Sequence, residues 1–130
     1  MVAAIGIPIP QRKNGACYVK LGRYRGEDLA QVGVGILALE GHEYRVAFCA
    51  VGPVPTRASK IEALLNGHPL TEEAVRAAQR LLPEEISPIT DIRASQEYRM
   101  HMARIMLARG LAAAAARLAG GGPPYGESVI

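Results

Sequence analysis

The residues best placed to do chemistry in this chain are cations. Arg12, Lys13, Lys20, Arg23 and Arg25 all precede the first acid, Glu27, and beyond that point acids and bases nearly balance. The formal net charge is only +3, too modest to argue for nucleic acid. A local basic patch can still attract a phosphate, a reduced cofactor or an acidic partner surface. Taken alone, such a cluster reads more readily as a solvated loop face. Asp28, just after it, can cap a short turn.

Other constellations carry less. Gly33-x-Gly35-x-x-Ala38 matches a loose dinucleotide fingerprint, but that motif needs a strand, a glycine loop and a helix in succession. Here the glycines fall inside an alternating strand pattern, so they are assigned to strand packing. His42, His68 and His101 are scattered between a hairpin tip, a turn and a helix, which argues against a shared metal. Cys17 and Cys49 sit singly in apolar stretches without a Cys-x-x-Cys pair, and read as small buried hydrophobes. Glu84-Glu85 reads as solvated charge at a helix end. Aromatic residues make up 5% and tryptophan is absent, so a basic sheet bearing stacking aromatics is not visible.

The elements that must position these residues follow from periodicity. Residues Val2 to Ile9 are apolar and end in Pro8-Ile9-Pro10, an extended strand or linker. Ala16 to Leu21 is a strand. Gln31 to Glu40 and Glu43 to Val51 both alternate, and Gly41-His42 between them suits a type II′ hairpin. After Gly52-Pro53-Val54-Pro55 the pattern turns helical. Thr56 can cap a helix carrying Ile61, Leu64 and Leu65, stopped by Asn66-Gly67. Thr71 can cap a second helix with Ala74, Val75, Ala78, Leu81 and Leu82 on its apolar side, ended by Pro83. The longest helix runs from about Ser95 to Leu118, with a stripe through Tyr98, Met102, Ile105, Met106, Leu111, Ala115 and Leu118. Strands first and helices afterwards predict an α+β fold: an antiparallel sheet of three to four strands packed against about three helices, in two layers.

With 130 residues, 49% hydrophobic and 21% charged, the chain fits one domain able to bury a core. No apolar run is long enough to span a membrane. The amino terminus lacks a signal-peptide pattern, so a cytoplasmic location is expected.

The stretch from Tyr18 to Ala30 resembles the opening of the C-terminal domain in FAD-binding (medium) subunits of molybdenum hydroxylases, the carbon monoxide dehydrogenase and xanthine dehydrogenase family. The family pattern is roughly Lys-x-x-x-Arg-Arg-x-x-Asp-Leu/Ile-Ala, followed by a hydrophobic strand. Val51 to Ala58 resembles the turn after the family's last sheet strand, and Asn66 to Glu73 its inter-helix loop. Ser87 to Ser95, followed by Tyr98-Arg99, resembles the approach to its final helix. Ile5-Gly6-Ile7-Pro8-Ile9-Pro10 is similar to the segment by which the family's chain leaves its FAD-binding domain.

The resemblance implies residues 1–15 continuing from an absent FAD-binding domain, residues 16–119 forming the C-terminal α+β domain, and 120–130 as a flexible tail. It implies a domain that helps cover FAD and assemble an oxidoreductase complex, inactive alone. Partners would be an FAD-binding domain or polypeptide, an iron–sulfur subunit with 2Fe-2S clusters and a subunit holding the molybdenum cofactor. Nucleic acid and membrane are not among them. Lys20 matches a flavin-contacting lysine of the family. Arg25 and Asp28 match the motif too and read as a local ion pair shaping the loop. Tyr24 departs from the arginine usual at its position. Tyr98 and Arg99 read as packing and capping residues. The alternative is a free-standing protein-interaction domain without flavin contact; a weaker one is an anion or nucleic-acid binder using the Arg12 to Arg25 patch.

Overall fold

The apolar alternation of the first half of the chain builds one sheet, and the helical repeats of the second half cover one side of it. In the computed structural model, which describes residues 1–24 and 28–130, β1 (Asn14–Leu21), β2 (Val32–Leu39), β3 (Glu43–Cys49) and the short β4 (Thr56–Arg57) form an antiparallel sheet in the order β1-β2-β3-β4. Helices α1 (Ser59–Leu65), α2 (Glu72–Glu85) and α3 (Gln96–Leu118) follow. The α+β reading therefore holds. No helix among the described residues is long and apolar enough to cross a membrane.

Strand alternation divides the sheet into a covered and an open face. Cys17, Val19, Val34, Ile36, Val46 and Phe48 point toward the helices and are buried. They meet Ile61 and Leu65 of α1, Leu82 of α2, and Met106, Leu107 and Leu111 of α3 in one core. Each such side chain contributes about 1.5–3 kcal/mol by leaving water, so the covered face dominates stability.

Helix α3 lies on β1 and β2 with its small residues inward. Its buried positions are Arg99, Ala103, Met106, Leu107, Gly110, Leu111, Ala113 and Ala114. The expected stripe shares only Met106 and Leu111 with this set, whose inward side mixes Ala103, Gly110, Ala113 and Ala114 with the larger Met106, Leu107 and Leu111. Gly110 shows the constraint: a methyl group there would stand 2.7 Å from Ile36 Cδ1 and 3.2 Å from Val19 Cγ2.

Several local expectations change in detail. Leu39 pairs with Glu43, so residues 40–42 make the hairpin turn. Both Gly41 (φ 82°) and His42 (φ 59°) take left-handed backbone, whereas a type II′ turn needs only the first. Thr56 does not cap α1. It belongs to β4 opposite Phe48, and Ala58 precedes the helix without a side-chain cap. Thr71 does cap α2, accepting the Ala74 N–H at 3.1 Å. Pro83 lies inside α2 rather than ending it. A proline removes one helical donor, but the next residues can still bond, and the helix runs on to Glu85. That extension gives both acids a use: Glu84 pairs with Lys60 Nζ at 2.6 Å and Glu85 accepts the Lys60 N–H at 2.5 Å.

Candidate functional site

Lys20 lies near the end of β1 on the open face, in line with Ala16 and Tyr18. The ladder sets it beside Gly33, which in turn pairs with Cys49. Gly33 leaves room for the Tyr18 ring, since a methyl group there would come within 2.9 Å of Tyr18 Oη. The Gly33 and Gly35 pattern is thus strand packing, as the alternation predicts. Tyr18 Oη meets Cys49 Sγ at 3.6 Å, and that hydrogen bond, reinforced by burial, pushes the phenol up to about 12.

The Lys20 side chain is exposed and borders a cleft of about 720 Å³. Arg23 and Tyr24 line one side of that cleft, and Glu127, Ser128 and Ile130 line another. Among the described residues, Lys20 forms no ion pair.

Asp28 folds its neighbourhood through backbone amides. Its Oδ2 accepts the N–H of Tyr24 at 2.9 Å and also the N–H of Arg23. These bonds hold the carboxyl below its ordinary range, the Tyr24 amide most strongly. Arg25, the proposed ionic partner, lies outside the described residues. Arg23 points elsewhere, its guanidinium donating to the Ile92 and Arg93 carbonyls at 3.3 and 3.5 Å.

Beneath this corner sits a buried cation. Arg99, 2% exposed, donates from Nη1 to the Gln31 carbonyl at 2.6 Å and the Ala50 carbonyl at 3.0 Å. Its Nη2 reaches Asp91 Oδ1 at 2.6 Å. Gln31 replies across the same gap, its Nε2 donating to the Arg93 carbonyl at 2.9 Å. Ala50 sits at φ 60°, a left-handed conformation rare for alanine, and its carbonyl is held by this guanidinium. The Arg99 side chain thus joins the start of α3, the end of β3 and the backbone leading into β2. The motif Ser87 to Arg99 is the support of the cationic corner. Its signal in the sequence is an arginine within a helix-entry motif; only the fold shows that it is buried.

The C-terminal segment returns to β1. Arg117 donates to the carbonyls of Ala16 (2.7 Å), Pro123 (2.8 Å) and Pro124 (2.8 Å), with its guanidinium 4.3 Å from the Tyr125 ring centroid. Tyr125 Oη accepts the Ala16 N–H at 3.4 Å. Nothing in the local sequence pattern of 120–130 marks these partners, because they lie across the sheet rather than along the chain. Elsewhere, no cluster of His, Cys, Asp and Glu among the described residues could hold a metal.

Comparison with known proteins gives the arrangement a relation. The family model of the CO dehydrogenase flavoprotein C-terminal domain matches residues 16–114. The carbon monoxide dehydrogenase medium chain of Afipia carboxidovorans is 30% identical over 120 residues, 90% of this chain and 42% of that protein. The xanthine dehydrogenase FAD-binding subunit of Escherichia coli O157:H7 is 24% identical over 117 residues, 87% of this chain and 40% of that protein. Among solved structures, carbon monoxide dehydrogenase from Hydrogenophaga pseudoflava, in a form lacking the Mo-pyranopterin moiety of the molybdenum cofactor, superposes with TM-score 0.78 at 35% identity. That match covers 85% of this chain and 40% of the other. The chain thus spans about two fifths of the length of these relatives.

Proposed function

The chain belongs to the CO dehydrogenase flavoprotein C-terminal domain family, and from that membership we propose that it forms one flank of an FAD site completed by another polypeptide or segment. It is a C-terminal domain of the flavoprotein medium chain of molybdenum hydroxylases, and a free-standing interaction domain is not favoured. The observation that carries the cofactor reading is the placement of Lys20: exposed, on the open face, beside a cleft shared with Arg23 and Tyr24.

The side chains at this corner fit one edge of a flavin and no more. An ammonium and a phenol facing an open cleft suit an electron-accepting heterocycle that gains negative charge on reduction. They do not suit the pyrophosphate, because Gly33 and Gly35 lie in a central strand paired on both sides. FAD, when bound, supplies the electron transfer. Lys20 supplies a fixed positive charge beside it, Asp28 holds the Arg23 and Tyr24 backbone, and Arg99 anchors the support beneath. The isolated chain binds FAD weakly or not at all and has no activity by itself. In the assembled enzyme its partners are the FAD-binding polypeptide, an iron–sulfur subunit and a molybdenum subunit.

The test is co-expression with the FAD-binding part of a medium chain. The complex should carry flavin absorbance, and Lys20→Met should lower the flavin reduction potential while leaving association intact. A potential unchanged by Lys20→Met, with flavin bound, would remove Lys20 from the cofactor's surroundings.

A further inference from the structure

The C-terminal segment is tied down at several points. Gly120 and Gly122, at φ 93° and 80°, turn the chain back after α3. Arg117, near the end of that helix, holds the returning backbone. It donates to the Pro123 and Pro124 carbonyls while its Nη1 keeps the Ala16 carbonyl, and its guanidinium lies over the Tyr125 ring. Earlier on α3, Arg109 donates to the Val129 carbonyl at 3.4 Å, and Val129 packs against the core. Two arginines of one helix thus fix the segment near both its ends. That fixing brings Glu127, Ser128 and Ile130 to the cleft that Lys20 borders.

We propose that residues 123–130 form a strap, latched by Arg117 and Tyr125, that holds the Glu127 carboxylate at the cofactor cleft as the opposing charge to Lys20. The inference rests on the function proposed above and adds to that site an acid and the latch that positions it. The strap lies beyond residues 16–114, the part that the family model matches, and is read from this chain's own contacts.

The strap is folded locally as well. The Glu127 N–H donates to the Pro124 carbonyl at 3.3 Å, and the Ser128 hydroxyl accepts the Ile130 N–H at 3.3 Å. Among the described residues the Glu127 carboxylate forms no ion pair, so its charge is not spent on a neighbour. Glu127 and Lys20 line one cleft and are both exposed, so water screens them while the cleft is open. With the cleft filled, less water remains and each charge acts more strongly on the occupant. The ammonium favours the negative charge acquired on reduction, and the carboxylate opposes it. Together they set the potential between two limits, and the latch decides how much the acid counts.

The experiment uses the full chain co-expressed with the FAD-binding part of a medium chain, reading the flavin reduction potential and amide exchange at Ala16. Glu127→Gln should raise the potential, opposite in sign to Lys20→Met, with Ala16 exchange unchanged. The double change Arg117→Gln/Tyr125→Ala should speed exchange at Ala16 and raise the potential as Glu127→Gln does. In that unlatched background Glu127→Gln should add little, a coupling that a merely structural role would not produce. The control Glu73→Gln, at an exposed acid in the first turn of α2, should leave the potential unchanged. Tyr125→Ala alone, at a residue 69% exposed, keeps the test valid if Arg117→Gln fails to fold. A potential that Lys20→Met lowers but Glu127→Gln leaves unchanged overturns this inference and leaves the proposed function standing. Ala16 exchange unmoved by the latch variants, or an undiminished Glu127→Gln effect in their background, also overturns it. A complex without flavin, or a potential that neither Lys20→Met nor Glu127→Gln moves, overturns both.

Discussion

The guanidinium of Arg99 lies 2.6 Å from the carbonyl oxygen of Gln31, although the two residues are far apart in the chain. Because Arg99 is buried, losing its side chain takes this donor from the Gln31 and Ala50 carbonyls, while Asp91 keeps its bonds from Arg93 and Ala94. Arg99→Ala should cost about 1–3 kcal/mol, in the range for leaving buried carbonyls without their hydrogen bonds. Urea denaturation measures the loss. Amide exchange should rise at Gln31 and Tyr24 before it rises in the core, and uniform exchange across the sheet would contradict a local support.

Asp91 makes the same network sensitive to acid. The Arg93 amide, then the Arg99 and Arg93 side chains, hold its carboxyl well below the usual carboxylate range. The folded state therefore takes up that proton less readily than the unfolded chain. The stability Asp91 contributes is complete above about pH 4 and is lost as pH falls through the ordinary carboxylate range toward the depressed value. Thermal melts between pH 6 and 3 should show a steeper fall in Tm for wild type than for Asp91→Asn. Parallel curves would exclude Asp91 as a contributor.

The phenol of Tyr18, pushed up to about 12, should ionise late in an ultraviolet titration. Its largest cause is the Cys49 contact, so Cys49→Ala should bring that ionisation down toward 10, the ordinary tyrosine value. Since the folded pKa is raised, any stability tied to it is present below pH 10 and lost as pH climbs toward 12. Tyr18→Phe should remove the late phase; its persistence would place that phase on another tyrosine, such as the buried Tyr44.

Gly110 tests the approach of α3 to the sheet. Alanine there improves helix propensity by about 1 kcal/mol. Its methyl group also crowds Ile36 and Val19, and overpacking costs about 1–3 kcal/mol. A net destabilisation of about 1 kcal/mol is expected for Gly110→Ala. Ile36→Val deletes the closest methyl, so the cost of Gly110→Ala should shrink in that background. A double-mutant cycle in urea reads the coupling, and zero coupling would show that the crowding is relieved elsewhere.

Residues whose partners are close in the chain are legible in the sequence itself. The alternation through Val34, Ile36, Val46 and Phe48 predicts the central hairpin, and Thr71 announces its helix. The order of motifs from Tyr18 to Arg99 carries the family. What the sequence leaves hidden depends on contacts between distant segments. Which side of α3 faces inward is decided by Gly110 against Ile36, not by the apolar sum of its residues. Thr56 is drawn into a strand by β3. Arg99 looks like any helix-entry arginine until the Gln31 and Ala50 carbonyls converge on it. For the candidate site, Lys20 and Asp28 stand out from the motif alone, whereas Arg23 reaching the Ile92 carbonyl and the return of Tyr125 to Ala16 need the fold.

Among the described residues the first strand has no strand paired on its outer side, and an unprotected rim is where a stray chain can add itself and start a fibre. Both backbone groups of Ala16 at that rim are already taken, the carbonyl by Arg117 and the amide by the Tyr125 hydroxyl. The closing residues of the chain thereby act as a fender over Ala16, making that stretch of the border harder for a foreign strand to extend.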